Sequence, residues 1–380
     1  MADKSYTMPQ SVLAVVVARL LHGKHVMAAA VSHTWRRPLD AREQMILRLV
    51  VRSFIDTAGP VGSRTLTRRH PLGLSPASVR NTMSDLEALG YLRHPYTSAG
   101  RMPTELGYRA FVDDLMDLPE LSTMEKRLLK AKLDRLMDDE DELFRESSRI
   151  LSRMSSLLGV VLSPKISTGI LDRIDVVPLP SPRVMIVISV RSRLVQTIIY
   201  ETCVDIKRHD LDRIVLLLNE RLAGLRLEEI RRTYEDRTRD LDDDKTGIVQ
   251  LILRERSVLF NDRVQGRLSR GGTQQLLRQP EFKNTEEMRR LIKMIEDEGF
   301  VVQLFESQSP ALEMGQAAVS IGSEINESTV SEYSVVTARY QLGETVGTVG
   351  VLGPMRMDYE RAIALVEHMA TLLNRPALSK

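Results

Sequence analysis

Between Asp40 and Thr104, cap and breaker residues fall so close together that only short helices and a hairpin fit between them. Asp40-Ala41-Arg42-Glu43 has capping-box spacing, and Met45, Ile46, Leu49, Val50 and Phe54 follow at helical intervals until Ala58-Gly59-Pro60. Ser63 is placed to cap a short second helix through Arg69, and His70-Pro71-Leu72-Gly73 then breaks the chain. Ser75-Pro76 opens a third helix, with proline where a missing N–H is tolerated, and Gly90 closes it. Its Val79, Met83, Leu86 and Leu89 form one stripe, which leaves Ser78, Asn81, Thr82 and Asp85 facing away. Tyr91 to Pro103, with Pro95, Gly100 and Pro103 around Thr97-Ser98, reads as a hairpin, and Thr104 caps a helix carrying Tyr108, Phe111, Val112 and Leu115. Three helices, a hairpin and a further helix make a winged helix-turn-helix at residues 39–118.

The whole chain has 380 residues and a formal charge of +2, which alone argues against an indiscriminate polyanion binder. That average hides a local excess, because residues 36–109 hold twelve arginines against six carboxylates, a local +6 with no lysine among the bases. The planar guanidinium fork suits phosphates and guanine edges. Aromatics are only 4%, so no base-stacking platform for single strands is advertised, and duplex DNA is the expected partner. Ser78, Asn81 and Thr82, with Arg80 on the flank, are small and polar enough for a major groove about 12 Å wide. Asn81 suits adenine, and Arg80 suits guanine or phosphate. Arg64, Arg68 and Arg69 are assigned to phosphates, and Arg101, with Ser98 nearby, to phosphates or the adjacent minor groove. The plain alternative for each is an ordinary solvated surface.

Residues 1–38 are set aside as an extension expected to be disordered. The apolar run Val12 to Leu21 is interrupted by Arg19 and is far short of the roughly 20 residues of a membrane span. Cys203 is the sole cysteine, so no intramolecular disulfide or cysteine-based zinc site can form, and a reducing cytoplasm fits best. Leucines alternate with charge from Ser122 to Gly159, which fits an amphipathic connector at 119–163 or a coiled-coil stem. After Pro164 come strand-like runs, Ile174 to Val177, Val184 to Val190 and Leu194 to Tyr200, then a helix from Asp210 to Ala223. Strand character returns at Ser334 to Tyr340 and Thr345 to Leu352, before a closing helix from Asp358 to Leu373. The expected architecture is multidomain α+β. One split domain at 164–224 and 307–376 shares a single sheet, and a mostly helical insertion occupies 225–306.

Several segments also resemble a known family. Gly59 to Leu66, Leu74 to Glu87, Thr97 to Thr104 and Gly107-Tyr108-Arg109 look like the winged-helix signature of HrcA, the heat-inducible transcription repressors of bacterial chaperone operons. Leu276-Leu277-Arg278-Gln279-Pro280-Glu281-Phe282 is similar to that family's inserted domain, and Ile321-Gly322-Ser323-Glu324, Tyr333 to Ala338 and Gly347 to Tyr359 extend the likeness. Met355, Ile325 and Pro71 depart from the pattern. The resemblance implies a DNA-binding domain, a split GAF-like domain and an inserted dimerising domain. It also implies a homodimer on an inverted repeat of the CIRCE type, with the GroE chaperonin as partner and relief on heat stress through chaperonin titration. A GAF-like domain leaves a small-molecule-responsive regulator as the alternative, and a structural partner of the chaperonin as a third reading.

Nothing in the sequence carries enzyme chemistry, a cofactor or a metal. Gly347, Gly350 and Gly353 lack dinucleotide-loop spacing, Asp242-Asp243-Asp244 has no neighbouring ligand set, and His70 and His94 adjoin the DNA-binding module without forming a ligand pair.

Overall fold

The computed structural model describes residues 37–376 except 97–98, 118–119, 137–138, 181, 192–194, 202–206, 242–243, 262–266, 309–312 and 326–330. Residues 1–36 of the expected extension, Cys203 and Asp242-Asp243 lie outside the described residues.

Helix α1 (Ala41–Thr57) opens with the expected capping box, in which the Glu43 N–H donates to Asp40 at 2.8 Å and the Asp40 N–H to Glu43 at 2.9 Å. Its buried stripe is Ile46, Leu47, Val50, Val51 and Phe54, so Met45, expected inside, is exposed. Helix α2 (Ser63–Arg69) is preceded by Gly62, which makes Ser63 its first residue rather than its cap. Helix α3 (Pro76–Ala88) starts where proline predicted, with Ser75 Oγ accepting from the Ser78 N–H at 3.1 Å. Strands β1 (Leu92–Arg93) and β2 (Met102–Pro103) form the hairpin base. Thr104 then caps α4 (Glu105–Ala110), which runs on into a π-helical turn at Phe111–Leu115.

The connector becomes α5 (Thr123–Leu133), α6 (Glu140–Ser155) and β3 (Leu158–Leu162). Leu129, Leu133, Leu143, Ile150 and Leu151 are buried within this same chain, so its apolar stripe is an amphipathic connector's and not a free coiled-coil seam.

Strands β4 (Leu171–Leu179), β5 (Arg183–Val190) and β6 (Val195–Glu201) form their own three-stranded antiparallel sheet. One face packs on α7 (Arg208–Leu222), α8 (Leu227–Thr238) and α9 (Ile248–Leu259), through Ile186, Ile188, Leu218, Ile230 and Ile252. The other face carries Val177, Val195 and Ile199, all exposed, with half-buried Met185 and Val187 between them.

The chain then enters β7 (Leu268–Gly271), α10 (Thr273–Leu277), α11 (Thr285–Glu296) and α12 (Glu298–Ser307). It continues through β8 (Ala317–Ile321), β9 (Tyr333–Gly343), β10 (Thr345–Pro354), α13 (Tyr359–Leu373) and β11 (Arg375–Pro376). The six strands β3 and β7 to β11 make one sheet, in which β9 pairs with β8, β10 and β11, β10 pairs with β3, and β3 pairs with β7. Side chains alternate between two cores, as a sheet covered on both faces requires. Val161, Val336, Ala338 and Val349 join the core that holds α6 and α13, whereas Leu158, Val160, Leu162, Val335 and Leu352 join that of α11 and α12.

Of the strands before residue 207, β4 to β6 therefore do not join the strands after 333 in one sheet; only β3 does. The main sheet is interrupted between β3 and β7, which are adjacent antiparallel partners, so the insertion occupies about 163–267 and not 225–306. The Ser163 N–H donates to the Arg267 carbonyl at 2.9 Å, and the Arg267 side chain returns to the Ser163 carbonyl at 3.0 Å, closing the two crossing strands at the junction. Leu276 and Phe282, from the motif assigned to the inserted domain, are buried in the main sheet's second core.

The N-terminal helices share one continuous apolar core with α6, α13 and the main sheet. Their seam is rich in charge. Arg109 is buried, donating to the Val319 carbonyl at 2.9 Å and pairing with Glu324 and Asp113, each at 3.0 Å. Arg52 pairs with Glu360, and Arg356 donates to the Ile55 carbonyl while pairing with Glu281 at 2.6 Å. Tyr108 and Tyr359 pack at 5.9 Å between ring centroids. Among the described residues no helix is long and apolar enough to cross a membrane.

Candidate nucleic-acid interface

The helical phase of α3 decides which of its side chains are available. Counting 100° per residue from the buried Val79, Met83 and Leu86, the outward direction falls on Ala77, Asn81 and Ser84, with Arg80 on one flank. Arg80, Asn81, Ala77 and Ser84 are exposed. Thr82 is not: it is 4% exposed, and its hydroxyl donates to the Ser78 carbonyl at 3.3 Å. Thr82 lies at the edge of the apolar arc, and the bond back along the helix satisfies its hydroxyl, so it belongs to the core and not to the reading face. Ser78 is half-buried and already engaged, because Arg42 of α1 donates to its carbonyl at 2.9 Å and its hydroxyl at 2.6 Å.

The arginines divide by partner. Arg37 pairs with Glu43, whose carboxyl is held below its usual range first by that hydrogen bond. Arg48 pairs with Asp117, while Arg52 and Arg109 lie in the seam. Arg101, expected at phosphates or the minor groove, pairs with Glu87 at 2.7 Å, and its backbone bridges to Val61. A carboxylate on α3 thus already meets the Arg101 guanidinium within the protein. Arg36 and Ser98 lie outside the described residues.

Arg64, Arg68, Arg69, Arg80 and Arg93 are all exposed, and among the described residues none of their guanidinium groups has a carboxylate or other hydrogen-bonding partner. They sit on α2, α3 and β1, and both α2 and β1 pack against α3. The sequence reading missed Ala77, Ser84 and Arg93 as members of this surface. The first two follow from counting the helical phase outward from Val79, and Arg93 was visible only as one of twelve. Tyr96, 64% exposed beyond β1, is the one exposed large aromatic on the hairpin among the described residues.

Comparison with known proteins now places the chain. Residues 141–363 match the family model described as the HrcA protein C terminal domain. The chain belongs to the HrcA family. The heat-inducible transcription repressor HrcA of Chlorobium phaeobacteroides (strain BS1) is 38% identical over 346 residues, an overlap of 88% of this chain and 97% of the relative. HrcA of Chlorobium luteolum is 40% identical over 347 residues, covering 89% and 97%. A solved structure described as a hypothetical protein at 2.2 Å resolution shares the fold, with a TM-score of 0.56, 22% identity and coverage of 88% of this chain and 98% of that one. The two HrcA relatives span the N-terminal module as well as the sheet-bearing part, so the arginine-bearing surface belongs to the shared region.

Proposed function

We propose that this chain is a heat-inducible transcription repressor whose N-terminal module is a winged helix-turn-helix that reads duplex DNA. The observation that carries this reading is the set of five exposed arginines on α2, α3 and β1, whose guanidinium groups have no partner among the described residues, grouped around an exposed Asn81. In this reading Asn81 and Arg80 contact base edges, and Arg64, Arg68, Arg69 and Arg93 hold phosphates. Names of HrcA relatives as heat-inducible repressors support the regulatory role.

The remaining parts follow the same reading. The two-faced six-stranded unit is the split GAF-like domain, and the inserted unit at about 163–267 dimerises. Support for dimerisation comes from the outer face of β4 to β6, where Val177, Val195 and Ile199, the last 54% exposed, form an apolar surface that the described residues leave uncovered. A two-fold dimer places two α3 helices on a two-fold operator, an inverted repeat of the CIRCE type upstream of chaperone operons. The protein works in the cytoplasm at the nucleoid, and GroE chaperonin maintains the active dimer until unfolded protein competes for it.

Footprinting the purified full chain on the chaperone promoters of its own genome, with and without chaperonin, tests this. Protection of an inverted repeat is expected, extended by chaperonin to lower protein concentrations. Protection of no inverted repeat overturns the reading.

A further inference from the structure

The hairpin after α3 is tied down twice. Arg101, just before its second arm, exchanges two backbone hydrogen bonds, both 2.9 Å, with Val61, two residues ahead of α2. That approach requires Gly100, where a Cβ would stand 2.5 Å from the Val61 carbonyl. The second tie is a single side chain. Glu87, in the last turn of α3, takes the Arg101 guanidinium at 2.7 Å on one carboxylate oxygen and the His94 imidazole on the other. His94 follows the first arm and Arg101 precedes the second, so one carboxylate spans both arms.

This is a costly place for an acid. The C-terminal end of a helix carries partial negative charge, and a carboxylate on a phosphate-facing module opposes the field that the exposed arginines create. The pairing with Arg101 is also more than a loose surface contact, because both side chains are largely shielded.

We infer that Glu87 is a positioning residue for operator recognition: it fixes the angle between the hairpin and α3, so that contacts from both are made in one register. Arg101 serves that alignment and not the phosphate backbone. The inference rests on the DNA-binding reading above and deepens it.

Its test uses the full chain throughout. Duplexes are first selected from a random library with the parent protein, and the preferred duplex and a scrambled version of it become the probes. Glu87→Gln keeps size and removes a negative charge. Loss of alignment lowers affinity for the preferred duplex about tenfold, the worth of one good base contact, while the scrambled duplex binds as before or more tightly. Glu87→Asp, which keeps the charge, recovers part of the ratio. Equal tightening on both duplexes overturns the inference, because Glu87 then acts only as a charge opposing phosphate; unchanged binding to both overturns it too. If Glu87→Gln does not fold, Arg101→Met and Arg101→Lys decide: the first must lower the ratio and the second preserve it, and an unchanged ratio in Arg101→Met overturns the inference. A parent that selects no duplex overturns the DNA-binding reading itself, whereas a selective parent with an equally selective Glu87→Gln variant overturns only the role of Glu87.

Discussion

One set of arginines, Arg64, Arg68, Arg69, Arg80 and Arg93, stands exposed without anionic partners among the described residues, and a second, Arg52, Arg109 and Arg356, is tied into the seam between the N-terminal module and the main sheet. Net charge counts both sets alike. Only the first projects a field into solvent, because the guanidinium charges of the second are met by Glu360, Asp113, Glu324 and Glu281 within a few ångströms. The local +6 of residues 36–109 is therefore not spread over the module. It is concentrated where α2, α3 and β1 adjoin, while the paired arginines hold that surface against the rest of the molecule.

The sharpest way to break this comparison is to remove an arginine from the seam. Arg109→Met leaves Asp113 and Glu324 without their cation in a buried setting, and such a loss costs about 3–5 kcal/mol. Thermal or denaturant unfolding of the full chain measures it. Burial already pushes the Asp113 carboxyl above its ordinary range despite Arg109 beside it. Removing Arg109 pushes it further, so the deficit should shrink as pH falls and Asp113 takes up its proton, and grow as pH rises through the raised value. A deficit below about 1 kcal/mol would place Arg109 with ordinary surface ion pairs and dissolve the distinction.

On the outward set the expected change is in recognition rather than stability. Arg80→Ala or Asn81→Ala should cost roughly 1–3 kcal/mol at the operator with little change on random duplex. Thr82→Val supplies the contrast, since its side chain faces the core and operator affinity should be unchanged. Band-shift titrations on matched and scrambled duplexes separate these outcomes. If Thr82→Val weakens operator binding as much as Asn81→Ala does, the reading face is wrongly placed.

Much of the module was legible because its determinants are local. The capping box at Asp40, the serine and proline opening α3 and Thr104 before α4 each act within four residues and stand where the sequence put them. The partition of strands was not legible. Outward-facing Met185, Val187, Val195 and Ile199 are apolar, so the one-faced sheet lacks the alternation that would have separated it from the two-faced one. Pairing of β3 with β7 and β10 joins segments more than a hundred residues apart, and no local signal carries it. The same limit applied at the site. Thr82 sits at an arc's edge that residue type cannot resolve, and Arg101 and Arg109 look like Arg64 until their carboxylates are placed in space.

The smallest effect tests the comparison most directly, because it compares one arginine from each condition on the same module. The Arg64 guanidinium has no partner among the described residues, whereas Arg48 is paired with Asp117. A phosphate contact releases condensed counterions, so its loss makes the dependence of log K on log salt shallower by about 0.9 per contact. Arg64→Ala should show that change on operator and random duplex alike, since a phosphate contact carries no sequence information. Arg48→Ala should leave the slope as it was, because its charge is already balanced within the protein and no counterion is released from DNA on its account. Equal slopes for the two variants would mean that pairing inside the protein does not decide which arginines meet the duplex. A shallower slope for Arg64→Ala alone would show that the unpaired set, and not the arginine count, makes the electrostatic contact.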